Sequence, residues 1–303
     1  VGKIAFVFSG QGAQYPSMGK ELFDISAAAR EVFSQVDSVR GGTSSQCFEG
    51  TKEELFKTVN TQPCMFAVDL AAAEALRENN IVPDAVAGFS LGEIPAVTFA
   101  KMVTVSEGAE IVTKRGEYMN EAAESTNGSM CAVVKLSNDV VEEICSSFTD
   151  VYPVNYNCPG QLTCAMGKDS VAPFSEKVKA AGGRAIPLAV SGGFHSPFMH
   201  TAAEKMAEEL KKYEFKKPET TIYSNYTAKE YSSDAALLLS KQIENPVRWQ
   251  EIVENMISDG VDTFVEVGPG KTLSGLISKI SKDVRVFNVE NKETLEKTLE
   301  GLK

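Results

Sequence analysis

One serine, two histidines and a glycine-bearing loop mark where this sequence could do covalent chemistry. Ser90 stands in "GFSLG" (88–92), a G-x-S-x-G pattern. It directly follows the apolar run "DAVAG" and directly precedes the helix-like "LGEIPAVTFAKMV". Strand before and helix after is the setting of a nucleophile elbow. A sharp turn of that kind crowds its neighbours, and glycine lacks the Cβ that would clash. The turn lifts the Ser90 hydroxyl out of the sheet and aims the N–H of Leu91 at an oxyanion forming on an attacked carbonyl. The N-terminus of the following helix adds a favourable dipole.

A serine hydroxyl is a weak nucleophile near neutral pH and needs a base within hydrogen-bond reach. The chain has two histidines, His195 and His200. His195 lies in "SGGFHSP" (191–197), a glycine-rich loop of the sort that carries catalytic groups. His200 opens a helical stretch and reads as a surface residue. His195 is therefore the expected base. The second oxyanion donor should come from backbone near Ser90. "FSGQGAQ" (8–14) ends the first strand in a Gly-x-Gly loop, at the sheet edge where such sites form. It lacks the G-K-[ST] ending of a phosphate loop, and the N–H of Gln11 is the candidate donor.

Those groups need a scaffold. "KIAFVFSG" (3–10) and "DAVAGFS" (84–90) read as buried strands, and "TIYSN" and "DTFVEVG" as two more. Stretches 26–39, 61–79 and 106–125 have helical periodicity, the last with Ser106 as expected N-cap. Alternation of strand and helix predicts an α/β fold with a mostly parallel sheet covered on both faces. The rhythm changes near residue 128. A β-α-β-β-α-β order follows, ending in "GRAIPLAV" (183–190), which is the ferredoxin-like pattern. The expected organisation is a discontinuous core, 1–127 and 191–303, with an inserted ferredoxin-like subdomain at 128–190.

Composition bounds the setting. The 303 residues are 43% hydrophobic and 23% charged, as in an ordinary globular protein. A net charge of −11 repels phosphate backbones and argues against a nucleic-acid role. No apolar run approaches the ~20 residues of a membrane span, and "VGKIAFVFSG" enters a strand too soon to act as a secretory signal. The six cysteines contain no C-x-x-C pair and mostly sit in apolar stretches. They read as reduced thiols in a cytoplasmic protein.

Seven segments in order, "GQGAQ" (10–14), "TQP" (61–63), "GFSLGE" (88–93), "RGEYM" (115–119), "GFHS" (193–196), "QIENPVRW" (242–249) and "EVGPGKTLSGL" (266–276), resemble the malonyl-CoA:acyl-carrier-protein transacylases. The resemblance runs through nearly the whole chain. It implies an α/β-hydrolase-like core with the small subdomain beside the cleft. It further implies malonyl transfer from coenzyme A to the phosphopantetheine thiol of acyl carrier protein in fatty-acid synthesis. No metal or cofactor and no nucleic-acid or membrane partner is expected, and the state is that of a monomer. By the same resemblance Ser90 is acylated, His195 is its base, and Gln11 and Leu91 give the oxyanion N–H groups. Gln242 would offer the main-chain carbonyl that orients the histidine, in place of a triad carboxylate. Arg115 would pair with the malonyl carboxylate, as a guanidinium fork can and lysine cannot. Without the resemblance, Arg115 reads as an exposed helix residue beside Glu117 or Glu121. Phe194 would narrow the pocket against branched acyl groups.

One residue departs from the family's G-H-S-x-G-E: Phe89 stands in place of the histidine. An apolar ring there favours a less polar acyl group. Rival readings are a serine thioesterase or hydrolase, which needs a triad carboxylate, a carrier-docking module without catalysis, and a free-standing polyketide acyltransferase. The densest lysine cluster, Lys211, Lys212, Lys216 and Lys217, reads as a solvated helix end.

Overall fold

The computed structural model describes residues 2–232 and 234–303. Among the described residues nine strands run in chain order: β1 Lys3–Phe8, β2 Ala85–Gly88, β3 Gly128–Val134, β4 Val151–Cys158, β5 Gln161–Gly167, β6 Arg184–Pro187, β7 Thr221–Tyr223, β8 Val261–Val267 and β9 Arg285–Val289. They form two sheets. The larger is five-stranded and parallel throughout, ordered β7-β2-β1-β8-β9. The smaller is four-stranded and antiparallel, ordered β4-β5-β3-β6.

β1 shows why the larger sheet is buried on both sides. Its side chains alternate between faces. Phe6 and Phe8 enter one apolar cluster with Phe66, Leu70 and Phe99. Ala5 and Val7 enter a second with Trp249, Ile252 and Leu273. A strand apolar on both faces can only be central. The chain leaves β1 toward β2 and β7 on one side, then returns to β8 and β9 on the other. The strand order thus reverses between β1 and β8, so the loop leaving the carboxyl end of β1 borders a topological switch point, where crevices open in parallel sheets.

The smaller sheet packs the helices Asn138–Ser146 and Val171–Ala180 around its own core of Val133, Val141, Leu162 and Phe174. It is tied to the main body through β4. The N–H of Tyr156 donates to the carbonyl of Val247 at 3.0 Å, and that of Val247 to the carbonyl of Val154 at 2.7 Å.

Several boundaries differ from expectation. The strand expected over 183–190 ends at Pro187; the N–H of Leu188 still donates to the carbonyl of Met130 at 2.9 Å, and Leu188 and Val190 line a cavity. The helix expected from Ser106 is capped by Thr104, which forms a reciprocal capping box with Glu107. β9 and the helix Lys292–Gly301 have no counterpart among the expected elements.

Two glycines let β2 turn into a helix beside β1. A Cβ on Gly88 would lie 1.9 Å from the carbonyl carbon of Gly92, and one on Gly92 would lie 2.3 Å from the carbonyl oxygen of Phe8. Both obstacles are backbone, so neither can swing away. Gly88→Ala is expected to cost on the order of 3 kcal/mol by overpacking and to displace Ser90. Thermal melting and Ser90 acylation should fall together. A variant with unchanged melting and acylation would show the turn to be slack.

Candidate active site

Ser90 sits where β2 ends and a single 3-10 turn, Ser90–Gly92, leads into the helix Glu93–Phe99. Its φ is +55°, and that of His195 is +60°. Left-handed backbone costs a non-glycine residue on the order of 1–3 kcal/mol and persists only where the surroundings hold it. Here amide side chains do so. The Ser90 N–H donates to Asn225 Oδ1 at 2.8 Å, and Asn225 Nδ2 donates to the Gly88 carbonyl at 2.5 Å. Gln242 Nε2 donates to the Ser90 carbonyl at 2.7 Å.

The late loop brings its imidazole onto this turn. Ser90 Oγ lies 2.7 Å from His195 Nε2. His195 Nδ1 lies 2.8 Å from the main-chain carbonyl of Gln242. A carbonyl can only accept, so Nδ1 carries the proton and Nε2 presents its lone pair to the serine hydroxyl. His195 is buried, and burial, with the charge of Arg115 second, pushes its pKa down to about 4. The carbonyl of Gln242 opposes that shift. The imidazole is therefore neutral, as a base must be, through the physiological range.

The sign of the pH dependence follows. A base acts in its deprotonated form, so acylation at low substrate falls as pH drops through the pKa of the free enzyme. The rate of Ser90 acylation is expected to stay within about twofold from pH 7 to about pH 5, with its acid limb near pH 4. Folding stability linked to this group should likewise decline as pH falls from 6.5 toward 4, because the folded pKa is the lower one. Stopped-flow acylation across pH measures the first; an acid limb centred at 6.5 would mean a solvated histidine.

Arg115 is fully buried on the helix Val105–Ser125, not exposed beside Glu117 or Glu121. Those acids pair with Lys114 and Lys205. Its Nη1 donates to Gln62 Oε1 and its Nη2 to Gln242 Oε1, both at 2.8 Å, and Nη2 lies 3.3 Å from Ser90 Oγ. Among the described residues Nε has no hydrogen-bond partner. A cation with an unpaired N–H this close to the nucleophile is suited to hold an anionic substrate group.

Gln11 lies on the loop after β1, which is drawn against the turn; a Cβ on Gly10 would lie 2.7 Å from the Phe89 carbonyl oxygen. Neither the Gln11 nor the Leu91 N–H has a protein acceptor among the described residues. A cavity of about 100 Å³ over Ser90 is lined by Gln11, Phe89, Met119, Met130, Leu188 and Phe194, among others. It shares Gln11, Phe89, Asn155 and Leu188 with a cavity of about 270 Å³ running between the two sheets. Phe89 packs edge-on against Trp249, with ring centroids 5.5 Å apart. An apolar ring thus forms one wall beside the nucleophile.

Of the seven residues singled out from the sequence, Leu91 follows Ser90 in the turn, Arg115 and Gln242 reach the site through Ser90 and His195, and Ser90, His195, Gln11 and Phe194 line the cleft. His200 does not; it is exposed and hydrogen-bonded to Glu244 at 2.6 Å. Lys211 and Lys212, just past the helix His200–Leu210, pair with Glu208 and Glu209 in its last turn. Four polar residues were missed: Gln62, Glu93, Asn225 and Tyr231. Gln62 and Glu93 stood in quoted motifs without a role. Glu93 had a signal, being a lone acid opening the apolar run "EIPAVTFA".

A serine hydrogen-bonded to a carbonyl-held histidine, beside a buried arginine at the edge of a parallel α/β sheet, is the arrangement that suits an acyl-transferring enzyme. The acyl transferase domain family matches residues 5–295, and the chain belongs to that family. It is 38% identical over 309 residues to the malonyl CoA-acyl carrier protein transacylase of Bacillus subtilis (strain 168), covering 99% of this chain and 98% of that protein. The protein of that name from Staphylococcus aureus (strain COL) is 35% identical over 300 residues, covering 96% of each. Among solved structures, the malonyl CoA-acyl carrier protein transacylase of Clostridium perfringens superposes with a TM-score of 0.96 at 38% identity, covering 99% of this chain and 97% of that one. A malonyl-transacylase solved with a type II PKS acyl-carrier protein superposes with a TM-score of 0.95 at 34% identity, covering 99% of each chain.

Proposed function

We propose that this enzyme transfers a malonyl group from coenzyme A to the phosphopantetheine thiol of an acyl carrier protein, in fatty-acid synthesis, through an ester on Ser90. The observation that carries the reading is the approach of both His195 Nε2 and Arg115 Nη2 to Ser90 Oγ, at 2.7 and 3.3 Å. Ser90 Oγ attacks the thioester carbonyl while His195 takes its proton. The N–H groups of Gln11 and Leu91 hold the oxyanion, and losing one such donor costs about 3 kcal/mol. As the intermediate collapses, His195 returns the proton to the departing sulfur. The carrier thiol then enters along the cavity between the sheets and reverses the steps. Thioester, ester and thioester are close in energy, so no metal, cofactor or energy source is required.

Arg115 pairs with the malonyl carboxylate and disfavours groups without one, and Phe194 narrows the pocket. Binding of His195 to a carbonyl rather than to a carboxylate weighs against a hydrolase triad. The strand, sharp turn and helix around Ser90 support an α/β-hydrolase-like core over 1–127 and 191–303, and the β4-β5-β3-β6 order supports a ferredoxin-like subdomain at 128–190. We read the protein as a cytoplasmic monomer without nucleic-acid or membrane partners. Among the described residues no helix is long and apolar enough to cross a membrane.

Intact-mass spectrometry after exposure to malonyl-, methylmalonyl- and acetyl-CoA tests the reading. One malonyl adduct, discharged by added carrier protein, is the expected result; rapid hydrolysis unaffected by carrier would overturn it. The likeness to the transacylase solved with a polyketide carrier favours a second reading, service to a polyketide route. Comparing transfer to carriers of both kinds separates the two.

A further inference from the structure

Glu93 closes the nucleophile motif, yet it faces away from the cleft into the protein. It is fully buried. Its Oε1 accepts from the Tyr231 hydroxyl, and its Oε2 accepts from the Asn225 N–H and from Gln242 Nε2, each at 3.1 Å. Gln242 uses the other end of the same amide to accept from Arg115 Nη2 at 2.8 Å. One side-chain amide therefore bridges a buried carboxylate and a buried guanidinium.

That bridge answers an electrostatic question. The acceptors around Arg115 are all neutral: Gln62, Ser90 and Gln242. A buried cation without an anion is strongly destabilising. Glu93 supplies the missing charge at one remove. Its field supports the charged form of Arg115 against burial, and Arg115 in turn supports the charged form of Glu93. The titratable groups facing Glu93 are Tyr231, from the segment after β7, and Arg115, from the helix Val105–Ser125; Asn225 and Gln242 face it as neutral amides. His195 lies on the far side of Gln242, on its main-chain carbonyl.

The balance changes when a second carboxylate enters. A malonyl carboxylate on Arg115 would place two anions around one cation in a closed, poorly hydrated space. Such an arrangement drives one carboxylate to take up a proton. The substrate carboxylate touches the guanidinium directly and keeps its charge. Glu93, separated by an amide, does not.

We infer that Glu93 is a resident counter-anion for Arg115 that gives way to the substrate's carboxylate, so that malonyl loading is coupled to uptake of a proton from solvent at Glu93. This rests on the malonyl reading above. Glu93 is a positioning residue: it acts on the substrate through Gln242 and Arg115 and forms no bond to it. Burial, opposed by the three hydrogen bonds and by Arg115, raises its pKa to about 7, so it is poised to change charge near neutrality. Above about pH 7 the proton becomes harder to acquire, and the KM for malonyl-CoA rises by up to tenfold per pH unit with little change in kcat. Acetyl loading, which brings no carboxylate, lacks this rise.

Rapid mixing of the enzyme with equimolar malonyl-CoA in weakly buffered indicator at about pH 7 tests the coupling. The same mixture is assayed for acyl-Ser90 by intact mass. The departing thiol, with a pKa of about 8.5, stays protonated and contributes no signal. The expected result is uptake of a fraction of a proton per malonyl loaded, since with a pKa of about 7 Glu93 is partly ionised in the empty enzyme at that pH. Acetyl-CoA should give none. E93Q should load malonyl without uptake and lose the rise of KM with pH. Loading of the native enzyme without uptake, or equal uptake with acetyl-CoA, overturns the inference even if E93Q does not fold. Undiminished uptake in folded E93Q also overturns it, by placing the proton elsewhere. Failure to load malonyl at all overturns the functional reading, and this inference with it.

Discussion

Ser90→Ala is expected to abolish the covalent malonyl adduct and to slow transfer about 10⁴–10⁶-fold. The methyl group fits the space, and the clamps on the turn are made by the backbone N–H and carbonyl of residue 90, not by its side chain. Stability should therefore hold while chemistry fails. His195→Ala should lose a comparable factor, and the double variant little more than either alone, because nucleophile and base act as one unit. Intact mass and a carrier-transfer assay read both effects. A labelled adduct persisting on the alanine variant would place the nucleophile elsewhere.

The second large effect belongs to Arg115. Arg115→Ala is expected to cut malonyl loading about 10³-fold and acetyl loading less than about tenfold, because a site built around a polar substrate group discriminates through that group. Arg115→Lys should restore only part of the loss. An ammonium cannot serve Gln62, Gln242 and a carboxylate together as the planar fork does. The alanine variant also opens a cavity and frees two buried amides, so melting temperature should be followed alongside. Equal losses for malonyl and acetyl would reduce Arg115 to a structural part.

The residues that do chemistry were legible because their types are rare and their settings local. Ser90 is announced by flanking glycines between a strand and a helix. His195 had one competitor, and the family resemblance supplied Arg115 and the carbonyl of Gln242. The support was not legible, because it is assembled across the chain. Gln62 meets Arg115 across 53 positions, and Asn225 and Tyr231 meet Glu93 across 132 and 138. Pattern within a window carries no information about such pairs. The misplaced ends have local causes. Thr104 outranked Ser106 because a capping box needs its glutamate three residues on, and Glu107 stands there. β6 pairs with β3 until the Leu188 N–H donates to the Met130 carbonyl at 2.9 Å, after which the chain leaves the sheet for the glycine-rich loop that carries His195. β9 is a five-residue edge strand, only partly buried over most of its length, so its apolar signal is weak.

The six cysteines are all buried and unbridged. Burial holds the thiols of Cys47, Cys131 and Cys158 above their ordinary pKa, and the sulfur of Cys145 does so foremost for Cys164. Thioesters exchange readily with accessible thiolates, so an enzyme that handles activated acyl groups all day would otherwise risk mislabelling itself. Sequestering every competing sulfur in the interior gives this protein chemoselectivity by exclusion: an incoming acyl donor meets a hydroxyl it can modify and no sulfhydryl it can reach.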